Sequence, residues 1–104
     1  MTGPATAAPI EITIVQAPGC HFCDDAHTAI VALAVEYPLS LRLVDIRSPQ
    51  GQQLVRLHRP ALNPLVLVDG AFFSAGRLPR GKLRKLLDRI LPDRVAAGST
   101  ARVG

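Results

Sequence analysis

Ala17-Pro18-Gly19-Cys20-His21-Phe22-Cys23 holds both cysteines of the chain. Before it runs Ile10-Glu11-Ile12-Thr13-Ile14-Val15, alternately apolar and polar and then fully apolar. That is the pattern of a strand with a buried end. After it, Ala26, Ala29, Ile30, Leu33 and Tyr37 recur at helical spacing, with Asp24, Asp25 and Thr28 on other faces. The cysteines therefore sit where a strand turns into a helix. Pro18 and Gly19 make the turn, one by its fixed φ and the other by its freedom to take positive φ. Two cysteines at this spacing can close a small disulfide or hold a metal. Beside a β-α-β pattern they read first as a redox pair.

Working outward, Pro38 stops the first helix. Leu39-Ser40-Leu41-Arg42-Leu43-Val44-Asp45-Ile46 is a second alternating strand. Ser48-Pro49 offers an N-cap and a proline at the first helical position. A helix follows from Pro49 to about Arg59, burying Leu54, Val55 and His58, with Gly51 weakening its first turn. Leu65-Val66-Leu67-Val68 is a dense apolar strand, Asp69-Gly70 a two-residue hairpin, and Ala71-Phe72-Phe73-Ser74 its return. Pro79 opens a last helix with a stripe of Leu83, Leu86, Leu87, Ile90 and Leu91, and Pro92 is expected to end it. The order β-α-β-α-β-β-α predicts a four-stranded mixed sheet with three helices shared between its faces.

At 104 residues the chain makes one domain, 10–91, with residues 1–9 read as a flexible leader and 92–104 as a flexible tail. The leader lacks the basic start and apolar core of a secretory signal, no apolar run is long enough for a membrane span, and cysteines are few. Together these predict a cytoplasmic protein. Much of the net charge of +4 lies in Arg77, Arg80, Lys82, Arg84, Lys85 and Arg89. That segment offers a nucleic-acid or acidic-partner patch, but with no aromatic residue for stacking on bases it reads first as a solvated helix face.

The element order, with Pro-x-Cys-x-x-Cys between the first strand and the first helix, resembles the thioredoxin-like fold in its small glutaredoxin-like form. The likeness runs from about Ile10 to Leu91. It is strongest to short bacterial glutaredoxin-like proteins, through Pro18-Gly19-Cys20-His21-Phe22-Cys23-Asp24-Asp25-Ala26 and Pro64-Leu65-Val66-Leu67-Val68-Asp69-Gly70. The resemblance implies a thiol–disulfide oxidoreductase with a cis proline at Pro64, the backbone of Asn63 pairing with a bound thiol substrate. From sequence alone the alternative is an ordinary trans proline entering a strand. Where glutaredoxins carry Lys, Thr-Val and a small polar or acidic pair, this chain has Ala17, Leu62-Asn63 and Arg77-Leu78. Those are family contacts to glutathione, and their loss weakens the case for it. Gly76 and Arg77 still fall at the substrate end, where Arg77 either meets an anion or is solvated.

The resemblance assigns Cys20, at the helix N-terminus, as nucleophile and Cys23 as the resolving thiol. Helix N–H groups and the dipole stabilise a thiolate at Cys20. His21 either favours that thiolate or faces solvent, and Phe22 either contacts substrate or packs on the core. Asp24 and Asp25 oppose a thiolate if they approach it. The expected substrate is a disulfide-containing protein or a small thiol. The reductant is glutathione or a thioredoxin-reductase-type enzyme, with no tightly bound cofactor and a monomer as the working state. A rival reading sets Cys20, Cys23 and His27, with His21 or His58, around a zinc ion, although a second cysteine pair is missing. A third is a non-catalytic module that binds a partner peptide.

Overall fold

In the computed structural model, which describes residues 8–103 and the side-chain surroundings of 8–92, seven elements follow the expected order. They are β1 (Ile10–Gln16), α1 (His21–Leu33), β2 (Leu39–Asp45), α2 (Pro49–His58), β3 (Leu65–Val68), β4 (Ala71–Ala75) and α3 (Arg80–Val103). The strands form one mixed sheet in the order β2-β1-β3-β4. β1 pairs parallel with β2 and antiparallel with β3, and β3 pairs antiparallel with β4.

The two-residue period of β1 and β3 divides the core between the faces of the sheet. Ile10, Ile12, Ile14, Val66 and Val68 share one cluster with Ala26, Ala29 and Ile30 of α1 and with Leu83 and Leu87 of α3. Val15, Val44, Leu65 and Leu67 face the other way, where Leu54 and Val55 of α2 cover them. β1 and β3 are buried on both faces, which explains why β3 reads as an unbroken apolar run. Each fully buried Ile or Leu contributes roughly 1.5–3 kcal/mol, so the sheet centre is the most firmly held part of the molecule.

Asp69 and Gly70 take positive φ (50° and 84°), the hairpin geometry their sequence announces. The Asp69 carboxylate also accepts a hydrogen bond from the Glu11 amide at 3.0 Å, pinning the hairpin to the start of β1. α2 begins as expected, with Ser48 Oγ accepting from the Gly51 amide at 3.0 Å. Gly51 has a reason beyond propensity, because a Cβ there would stand 2.2 Å from the Asp45 carbonyl oxygen.

Two helix ends differ from expectation. α1 stops at Leu33, and a tightened turn through Ala34, Val35 and Glu36 delivers Tyr37 to the core. Pro38 restricts the residue before it as well as itself, so the helix closes early. α3 does not end at Pro92 but continues to Val103 with that proline inside it. Pro92 is solvent-exposed. The carbonyl one turn back that loses its donor can then bond to water, which makes an interior proline tolerable here. The expected flexible tail at 92–104 therefore begins as helix. For the expected leader at 1–9, residues 1–7 lie outside the described residues.

Candidate functional site

β1 leaves the sheet centre at Gln16, and the chain reverses through Pro18 and Gly19, the latter at φ 66°. Cys20 follows in an extended conformation (φ −94°, ψ 112°) as the N-cap of α1. Its Sγ accepts a hydrogen bond from the Cys23 amide at 3.1 Å. The sulfur thus fills the position that a serine or aspartate oxygen holds in an ordinary N-cap. The donor and the positive end of the helix both face that sulfur. Cys20 is half-buried, whereas Cys23, one turn in, is 1 % exposed. Both are free thiols.

The two sulfurs are electrostatically unequal. The Cys23 thiol is pushed up to about 11. Burial is the largest cause, followed by its hydrogen bond to Cys20, with charge on Cys20 and on Asp24 adding to it. A backbone hydrogen bond from Ala17 acts in the opposite direction.

Topology gathers the remaining candidates at the same end of the sheet. Val15 pairs with Leu65, and Leu65 with Ala75. The turn after β1, the loop before β3 and the chain leaving β4 are therefore neighbours. The Asn63–Pro64 peptide is cis, and Pro64 is fully buried. The Pro64 carbonyl accepts from the Gly76 amide at 2.9 Å. Gly76 is at φ 94°, and a Cβ there would lie 3.0 Å from the Leu62 side chain. Asn63 is half-buried and Arg77 exposed, with no ion pair to Arg77 among the described residues. His21 is exposed and Phe22 is 47 % exposed, so Phe22 borders the solvent side of the cysteines and is not a core residue.

Leu62, named from the sequence only as a departure from the family's Thr-Val, is 60 % exposed and lies against Gly76 beside the Asn63–Pro64 bond. Asp25 is drawn away from the thiols into an ion pair with Arg80 of α3. Arg56 and Arg59, on α2 and its left-handed cap, are exposed.

The residues of the rival zinc reading are not brought together. Among the described residues no three His, Cys, Asp or Glu side chains are placed to hold a metal. His27 is exposed, and the His58 ring sits 6.3 Å from that of Phe72. No helix among the described residues is long and apolar enough to cross a membrane. No protein-family model matches the chain, and no curated protein matches it.

Proposed function

We propose that this chain is a glutaredoxin-like thiol–disulfide oxidoreductase of thioredoxin-like fold. The observation that carries the reading is the asymmetric pair at the start of α1: a half-exposed Cys20 capped by a backbone donor, above a buried Cys23 held protonated. An exposed thiolate attacks, and a protected neighbour resolves.

In the proposed cycle the Cys20 thiolate attacks one sulfur of a substrate disulfide. A Cys20–substrate S–S bond forms, the substrate's own S–S bond breaks, and the leaving thiolate takes a proton from solvent. Cys23 then loses its proton and attacks Cys20 Sγ. The Cys20–Cys23 disulfide forms, and the second substrate thiolate leaves. The substrate gains two electrons and the protein loses two. Two thiols of glutathione, or a thioredoxin-reductase-type enzyme, return them. Once Cys20 is in the mixed disulfide its charge is gone, which removes one of the influences holding Cys23 protonated. The resolving thiol is thereby released for its step at the moment it is needed.

In this reading Phe22, Leu62, Asn63 and Pro64 border the bound substrate chain, Gly76 lets the chain pass close by, and Arg77 meets an anionic group on the substrate or reductant. His21 lies beside the attacking sulfur. The chemistry suits a reducing compartment such as the cytoplasm and needs no tightly bound cofactor and no second subunit.

The test follows NADPH consumption by the oxidised protein, once with glutathione and its reductase and once with thioredoxin reductase. Turnover with either, abolished by Cys20→Ser, is expected. Cys23→Ser should accumulate a mixed disulfide visible by mass. Full activity in Cys20→Ser would sink the mechanism.

A further inference from the structure

β4 closes one side of the sheet and, among the described residues, pairs only with β3, so its outer backbone edge has no partner strand there. Natural edge strands are blunted by charges, prolines, bulges or shortness. Here the strand Ala71-Phe72-Phe73-Ser74-Ala75 is short and has a register shift opposite Val66 and Leu67, but no charge or proline. Between it and α3 runs a groove of about 450 Å3, lined by Phe72, Phe73, Lys82, Lys85, Leu86 and Arg89. Phe72 is 53 % exposed, an apolar contact at the rim. The groove continues past Leu86 to Ile90.

The charge in this groove is of one sign. Lys82, Lys85 and Arg89 fall at helical spacing on a single stripe. At 1.5 Å per residue the stripe is about 10 Å long. None of the three forms a salt bridge among the described residues, and Lys82 lies 5.6 Å from the centre of the Phe73 ring. Arg80 and Arg84, the two cations of α3 that do find carboxylates, are paired with Asp25 and Glu36 elsewhere. Asp88, on the same helix beside Arg89, accepts from the Tyr37 hydroxyl, and Asp69 borders the far extension of the groove.

We infer that the β4 edge and the α3 stripe together dock an extended acidic peptide segment of a partner protein. Alternate side chains of an extended chain recur about every 7 Å on one face, so two successive carboxylates span the cation stripe. Intervening apolar side chains point to the other face, where Phe72 pairs with Leu67 and lies near His58. The backbone pairs with β4, as in other cases of strand addition. A single-stranded nucleic acid matches the charge but cannot continue a β-ladder, so the unpaired edge favours the peptide.

The experiment uses the full chain and a fluorescein-labelled peptide of alternating glutamate and valine, read by anisotropy. Saturable binding is expected, with amide shift changes at residues 71–75 in the unlabelled complex. The glutamine counterpart of the peptide, and the combined Lys82→Glu, Lys85→Glu and Arg89→Glu variant, should each bind about tenfold more weakly, as expected for a few exposed ion pairs. A peptide N-methylated on its pairing face should also lose affinity. The inference is overturned by absence of saturable binding to the parent protein, by equal binding of the glutamine or N-methylated peptide, or by tighter binding of an oligothymidylate.

Discussion

Cys20 Sγ caps α1, and in the proposed function the same atom is the nucleophile. The duties can be separated by substitution. Serine is a preferred N-cap, so Cys20→Ser should fold with an unchanged or raised melting temperature while losing turnover. Cys20→Ala should lose about 1 kcal/mol in addition. Thermal denaturation beside the NADPH assay checks both. At Cys23 the sign of the linkage is set by burial. A thiol raised from 9.0 to about 11 favours the folded state fully below pH 9 and loses that contribution as the pH climbs to about 11. Thiolate absorbance near 240 nm in Cys20→Ser should therefore rise later than in a free cysteine, and stability should fall across the same window. Ser74 offers a contrasting residue. Its hydroxyl is buried with no hydrogen-bond partner among the described residues. Ser74→Ala should leave stability unchanged or raise it, since it removes a desolvated polar group.

Elements are joined by contacts that local sequence does not announce. The Asp45 carboxyl is held down to about 2, chiefly by its hydrogen bonds with the Arg47 side chain and also by the Arg47 amide. Its pKa is depressed on folding, so its contribution is present above about pH 4 and is lost as the pH falls through 2. Carboxyl NMR titration should show Asp45 returning toward 3.8 in Arg47→Ala. The same β2–α2 junction contains Gly51. A helical Gly→Ala change ordinarily stabilises by roughly 0.5–1 kcal/mol. Here the new Cβ meets the Asp45 carbonyl, and Gly51→Ala should instead destabilise by about 2–3 kcal/mol, as overpacking does. Urea unfolding will show which sign holds. Between the turn after α1 and α3, the Arg84 guanidinium grips Glu36 with bonds of 2.8 and 2.9 Å, and the Tyr37 hydroxyl donates to Asp88. These contacts give part of the basic α3 face a packing role where its sequence suggested only solvation.

For the whole molecule, the sheet order decides what stands beside the cysteines. β1 is central and carries the Cys20 turn at its end, while antiparallel β3 begins at that same end. Residues more than forty positions away in the chain, Asn63, Pro64 and Gly76, are thereby set next to the turn. The element order, the hairpin at Asp69-Gly70, the α2 cap at Ser48 and the placing of the cysteines at a strand-to-helix turn were all legible in the sequence. Each depends on hydrophobic period or on backbone chemistry within a few residues. The end of α3 was misread at Pro92 because a proline's cost depends on whether the orphaned carbonyl reaches water, which its neighbours in sequence do not reveal. The exposure of Phe22, the place of Leu62 against Gly76, the raised Cys23 thiol and the meeting of Phe72 with Lys82, Lys85 and Arg89 were decided only by tertiary structure. Burial, charge proximity and the pairing of distant strands are properties of the packed chain. A local pattern specifies which element forms, and the packing of those elements specifies what each side chain faces.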